Sequence, residues 1–299
     1  MLNRMLLGLF ALLAGSSHAG DIPSASAPQV GLSIIKTSKV TVPEALIYPG
    51  GSLSNKVDSN FVAFLIKHGD QHLLFDTGLS SKVDEEYAQD MRLWQQPFFR
   101  YDAPVISARQ QLDSAGVGPI KQIILSHSHW DHAGGIRDFP DVPVLLPQQE
   151  MPLIAQPTKG AGGTWASQVA DKNIRWQPFS FKPVAFMGFD ASLDVFNDGT
   201  VVLVPLFGHT PGSVGLFVTV DSGKRFFLLG DVVWSAKALQ DASPKFLPAS
   251  LIVDMNRSLT QQSIEQIRQL QRQHPEIVMV PAHDGLVHQA MGYFPAWAK

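Results

Sequence analysis

The stretch PIKQIILSHSHWDHAGGI, residues 119–136, decides how this chain is read. Ile123, Ile124 and Leu125 form a short apolar run with the character of a buried strand. The run stops abruptly at His127, His129, Asp131 and His132. His127 and His129 are two apart, so extended backbone places them on one face. Asp131 and His132 follow at a spacing suited to the turn beyond the strand. Gly134 and Gly135 let that turn be tight. Imidazoles and a carboxylate gathered this closely are a donor set for Zn, Fe or Mn. A polar surface loop that happens to carry histidines is the plainer alternative, but one loop rarely collects four such groups behind a buried strand.

One loop cannot complete two metal shells, and the chain offers further donors downstream. VVLVPLFGHTPGSVG places His209 after Val201–Leu206, RFFLLGD places Asp231 after Phe226–Leu229, and EIVMVPAHDG places His283 after Ile277–Val280. Each stands at the C-terminal end of a predicted strand, where α/β and related folds carry their sites. Taken together, HSHWDH, GHTPGS, GD and AHD resemble the metallo-β-lactamase superfamily of metal-dependent hydrolases, over nearly the whole chain after residue 19. The resemblance implies an α+β fold, an αββα sandwich of two packed mixed β-sheets with helices on the outer faces. The hairpin signals below also speak against a doubly wound sheet.

The chain has 299 residues, 45% hydrophobic and 16% charged, with a formal net charge of −3. That length supports a sizeable core. The near-neutral balance and the absence of basic runs argue against nucleic acid as a partner. Residues 1–19 have the layout of a secretory signal peptide: Arg4, the apolar run Met5–Ala14, and Ser17-His18-Ala19 before the expected cut. The expected mature protein is one hydrolase domain, residues 20–299, periplasmic or secreted. The apolar run is short for a membrane span, and without cysteine there is no lipid anchor, so no stable membrane anchor is expected. The lack of cysteine also removes disulfides and thiolate ligands, leaving His and Asp to bind metal.

Along the chain, Phe61–Lys67 and His72–Phe75 read as a hairpin around His68-Gly69-Asp70. FDTG follows. In the family resembled, Asp76 of this motif supports the ligand loop without being a ligand, as hydrogen-bonding carboxylates around metal sites do. Residues 82–101 are charged, then aromatic (Tyr87, Trp94, Phe98, Phe99, Tyr101), and suit a substrate lid or a packing or dimer segment equally. Ala103–Ala115 reads as a helix with Val105, Ala108 and Leu112 on one side, stopped by Gly116. Phe179, Phe181, Phe186 and Phe189 are expected to pack the second sheet rather than to line a pocket. Asn197-Asp198-Gly199 and Asp221-Ser222-Gly223 signal two further hairpins. Thr260 is the expected cap of a helix from Gln261 to about Gln273, with Ile264, Ile267 and Leu270 as its apolar stripe. His68, His72, His274 and His288 stand outside the motifs and read as solvent or packing histidines.

The resemblance also divides the ligands. His127, His129 and His209 would hold one metal, Asp131, His132 and His283 the other, and Asp231 would bridge them. The cofactor expected is two divalent ions, Zn2+ by family habit, with Mn, Fe or Co compatible with the same donors. Such a pair shares a bridging hydroxide and polarises the oxygen of an electrophile. Asp131, Asp231 and Trp234 are the candidate catalytic residues. GHTPGS resembles the β-lactamase members, but those lack the aspartate of LLGD, and AHDG most resembles lactonases. Many such lactonases carry a tyrosine three residues after the bridging aspartate. Here that position is Trp234, whose indole N–H can donate a hydrogen bond but is no proton source. The expectation is therefore an exported dinuclear hydrolase opening lactones or cleaving esters with an apolar body. An organophosphate triesterase is the runner-up. An exported β-lactamase and a non-catalytic metal-containing binding protein are the remaining readings. The expected partner is a small apolar or aromatic substrate, with a homodimer compatible.

Overall fold

A computed structural model describes residues 29–240 and 244–299. The predicted signal peptide lies outside the described residues. The first sheet runs β1 (Val30–Pro43), β2 (Lys56–His68), β3 (Gln71–Phe75), β4 (Ile120–Ile124), β5 (Val144–Pro147) and β6 (Trp176–Phe179), in that spatial order. The second comprises β7 (Leu193–Asp194), β8 (Val201–Pro205), β9 (Val214–Thr219), β10 (Arg225–Leu228) and β11 (Val278–Val280), with β11 at one edge beside β10. Both are mixed. β1 to β3 pair antiparallel and β3 to β6 parallel, while β10 pairs parallel with β11 and antiparallel with β9. The helices are α1 (Val83–Asp90), α2 (Ala108–Ser114), α3 (Met151–Ala155), α4 (Ala166–Val169), α5 (Leu247–Val253), α6 (Arg257–Gln273) and α7 (Gly285–Met291).

Alternation within the strands explains the layering. Side chains two apart share a face of a strand. Ile34, Phe64 and Phe75 pack against Leu203, Leu216 and Phe226 between the sheets. Their neighbours Ile35, Leu65 and Leu74 face outward onto Ala108 and Leu112 of α2. On the other side, Val202, Val204 and Phe227 pack against Ile264, Ile267 and Leu270 of α6. Both faces of both sheets are covered, which is why the strands read as continuous apolar runs. This is the predicted αββα sandwich.

Two helix expectations need correction. The helix predicted from Ala103 begins at Ala108. Ser107 forms a capping box with Gln110, and the segment before it runs beside β1, with Ile106 N donating to Thr37 O at 3.0 Å. The last long helix begins at Arg257. Its cap is Asn256, whose Oδ1 accepts from Leu259 N at 3.0 Å, while Thr260 sits a turn inside and bonds back to Asn256 O. Phe189 is buried against Phe217 and Phe227, and Phe179 and Phe181 pack at the edge of the intersheet core, as expected. His68 stacks on Phe196 and bonds Asp198, and His274 bonds Glu276. His288 is a packing residue: burial pulls its pKa down to about 4, and its ring nitrogens meet Asn60 Nδ2 and Pro281 O.

Candidate metal centre

The strand ends of both sheets meet at one place. The loop after β4 brings His127, His129, Asp131 and His132 from the first sheet, and the loops after β8, β10 and β11 bring His209, Asp231 and His283 from the second. All seven are buried or nearly so. Their donor atoms form overlapping groups: His127, His129 and His209; His127, His132 and Asp231; and Asp131, His132 and His283, each within 4.8 Å. His127 Nε2 and His209 Nε2 lie 3.1 Å apart. Asp231 turns one oxygen each way. Its Oδ1 is 3.1 Å from His283 Nε2 and 3.2 Å from His132 Nε2, and its Oδ2 is 3.6 Å from His209 Nε2.

Four of the five histidines have one ring nitrogen already committed. His132 Nδ1 donates to Asp76 Oδ2 at 2.8 Å, His209 Nδ1 to Asp254 Oδ1 at 2.8 Å, and His283 Nδ1 to Asn60 O at 2.7 Å. Ser126 Oγ donates to Asp76 Oδ2 and so accepts from His127 Nδ1 at 2.9 Å. These bonds fix the tautomers and leave each Nε2 lone pair facing the centre. His129 Nε2, His132 Nε2 and Asp231 Oδ1 are buried and have no hydrogen-bond partner. Buried polar atoms are seldom left orphaned, so the donor set fits cations.

The electrostatics agree. Burial, then the neighbouring imidazoles, holds His127 and His129 well below the usual histidine range. Burial also opposes charge on His132, but Asp231, Asp76 and Asp131 outweigh it and raise its pKa well above that range. Asp231 is likewise opposed by burial, and His283 and His132 hold its carboxyl well below the usual value. The carboxylates thus favour positive charge at the centre.

A model of the metallo-beta-lactamase superfamily matches residues 62–283. The chain belongs to that superfamily. The superfamily match and the converging His/Asp groups make it a metal-dependent hydrolase, with a donor set suited to a binuclear centre. Superfamily relatives include the N-acyl homoserine lactonase AttM of Rhizobium radiobacter, 29% identical over 233 residues, 74% of this chain and 80% of the relative. Probable metallo-hydrolase Rv2300c of Mycobacterium tuberculosis is 28% identical over 199 residues, 61% of each chain. Among solved structures, an N-acyl homoserine lactone hydrolase with N-hexanoyl-L-homoserine at its catalytic metal centre superposes with a TM-score of 0.69. It is 16% identical, and the match covers 91% of this chain and 100% of that one. The hydrolase AbOPH superposes with a TM-score of 0.53 at 16% identity, over 86% and 88% of the two chains. These structural likenesses bear on the fold.

Over the centre lies a cavity of about 660 Å³, floored by His129, Asp131, Asp231 and His283. Its walls are chiefly apolar, including Phe61, Trp94, Phe98, Trp130, Trp234 and Ile252, and Arg100 is the one lysine or arginine lining it among the described residues. Segment 82–101 contributes Trp94, Pro97, Phe98, Phe99 and Arg100 to the cavity wall. Tyr87 anchors it, donating to Gln96 O and Phe99 O, while Trp94 and Phe98 remain largely exposed at the mouth. Trp130 stacks on the fully buried Trp165 at 4.9 Å. Trp234 lies beside His283, but its N–H is taken by Asp231 Oδ2 at 2.8 Å.

Two supports escaped the sequence reading. Glu150, fully buried after β5, accepts from Ser128 on one ligand loop and from Thr210 and Gly212 on another. No local pattern marks it. Asp254 follows the apolar run Leu251-Ile252-Val253 much as the ligands follow theirs, and that signal was available. Gly208 also earns its place by geometry: φ is +132° and a Cβ would sit 2.1 Å from Thr260 N. Its carbonyl accepts from Asn256 N at 2.8 Å, pinning the His209 loop to the start of α6. Gly208→Ala is expected to cost more than about 2 kcal/mol and to displace His209. Urea unfolding and metal content check this, and a variant with unchanged midpoint and metal would refute it.

Proposed function

We propose that this chain hydrolyses carbonyl substrates with an apolar body, lactones or esters, at the centre floored by Asp131, Asp231 and His283. The apolar cavity directly above those residues carries the reading. His127, His129 and His209 would hold one divalent cation and Asp131, His132 and His283 the other, with Asp231 between them. Bound there, such ions supply a water of lowered pKa and a Lewis acid for the substrate oxygen. The chain's own contribution is positioning and dryness. The aromatic walls seat the apolar body and exclude bulk water. Asp76, Asp254 and the Asn60 carbonyl keep three imidazoles aimed inward. Trp234 aims the Asp231 carboxylate. Relatives named as N-acyl homoserine lactonases support a lactone among the substrates.

One observation favours a second reading, an aryl phosphotriesterase. The Trp234 N–H is committed to Asp231, and the hydroxyls of Tyr87 and Tyr101 are committed to Gln96, Phe99 and Asp84. None of these can protonate a departing group, which suits phenolates, as aryl esters and aryl phosphotriesters release. β-Lactam cleavage, whose leaving amine needs a proton, and the opening of alkyl lactones, whose alkoxide needs one, gain no such donor from these three side chains. A long-chain lactone, an aryl ester, an aryl phosphotriester and a β-lactam compared by kcat/KM decide. Carbonyl substrates are expected to lead. A phosphotriester preferred by about 100-fold, roughly 3 kcal/mol, would replace the first reading with the second. Trp234→Phe is expected to lower kcat about 10-fold by losing a hydrogen bond of roughly 1–1.5 kcal/mol, with KM and metal content kept. Trp234→Ala should also raise KM for bulky substrates. Equal kinetics for all three proteins would remove Trp234 from the site.

A further inference from the structure

Lys245 is the one buried lysine or arginine among the described residues. Its Nζ donates to Asp254 Oδ1 at 2.6 Å, and both side chains are 0% exposed. The same Oδ1 accepts from His209 Nδ1 at 2.8 Å, and Asp254 Oδ2 accepts from Ser250 Oγ at 2.6 Å. Nζ also donates to Val232 O at 3.3 Å, one residue beyond Asp231, and lies 5.8 Å over the Trp234 ring. The ammonium is therefore fixed in place two hydrogen bonds behind a ligating imidazole. Nothing similar stands behind His132. Its carboxylate, Asp76, accepts from Ser126 N, Ser126 Oγ and His132, and no lysine or arginine pairs with it among the described residues.

A carboxylate behind a ligating histidine raises the basicity of that ligand. A cation on the same carboxylate undoes the gain, and a buried charge is little screened. The direct ligands tilt the same way. One group has three imidazoles and a share of Asp231, while the other has two imidazoles, Asp131 and a share of Asp231. We propose that Lys245 makes the two metal positions unequal, so that the His127, His129 and His209 group holds a divalent cation less tightly than the Asp131, His132 and His283 group. The inference rests on the two-cation reading of the site.

Titrating the metal-free protein with Co2+ against a competing chelator at pH 8.5, followed by the visible spectrum, tests it. The wild type is expected to take two equivalents in steps at least 10-fold apart. Lys245→Met should tighten the weaker step at least 10-fold and narrow the gap, whereas loss of a merely structural contact would loosen it. Lys245→Arg keeps the charge and should restore the wild-type gap. The double variant Lys245→Met/Asp254→Asn removes both charges and keeps an acceptor for His209, so it too should show the wild-type gap. Lys245→Met leaves a buried carboxylate unpaired and is expected to unfold more readily without metal than with it. Should it not fold metal-free, refolding it with Co2+ and back-titrating with chelator gives the same constants. A weaker step that is unchanged or loosened in Lys245→Met overturns the proposal, as does a double variant that matches Lys245→Met. Fewer than two equivalents in the wild type would instead sink the two-cation reading beneath it.

Discussion

Asp231→Ala is expected to lose metal from both positions and at least 1,000-fold in kcat/KM, about 4 kcal/mol. The size follows from geometry. One carboxylate presents Oδ1 to His132 and His283 and Oδ2 towards His209, so its removal strips a donor from each group at once. The same change releases the Trp234 N–H. Asp131 has no such double role, lying 3.4 Å from His283 and 3.9 Å from His132. Asp131→Ala should therefore empty one position and spare the other. Elemental analysis of both variants beside the wild type separates the two. Near-full occupancy and activity in Asp231→Ala would refute the bridging role.

Glu150→Ala should be the most damaging change away from the ligands. The carboxylate accepts from Ser128 N and Oγ at 2.8 and 2.6 Å, from Thr210 Oγ1 at 2.8 Å and from Gly212 N at 2.9 Å. All of these are buried, so deletion strands the N–H groups of Ser128 and Gly212 and takes an acceptor from two hydroxyls. A buried unsatisfied group costs about 1–3 kcal/mol, and several together put the loss at roughly 3–5 kcal/mol. For a chain of this size that is a fall in Tm on the order of 10 °C. Because Ser128 lies between His127 and His129, and Thr210 follows His209, metal content should fall as well. Calorimetry and metal analysis check both, and an unchanged Tm with full metal would show that the ligand loops hold their places without Glu150.

The seven convergent donors were legible in the sequence because metal chemistry restricts residue type, and each follows a run that had to be buried. The fold was legible for a related reason: sheets covered on both faces leave long apolar runs with turn residues between them. What was not legible depends on distance in the chain. Glu150 meets partners 22, 60 and 62 residues away, and no local pattern encodes that. The chemistry of Trp234 was readable as a lone N–H donor, but that its target is Asp231 rather than substrate was not. The misplaced starts of α2 and α6 are a different matter. Ser107-x-x-Gln110 and Asn256 are local signals, outweighed in the reading by the periodicity of Val105, Ala108 and Leu112 and by the prominence of Thr260.

The origin of the ligands in two sheets bears on how the centre is assembled. Until the sheets dock, β4 and its loop offer four donors from one side, and the other three are scattered along the rest of the chain. Neither partial set supplies the donors of both groups, so the full donor set exists only in the docked state. Ligands that bind only the native state stabilise it by mass action, and here that stabilisation acts on the seam between the sheets. Cations held by all seven donors would thus work as a clasp between the two sheets.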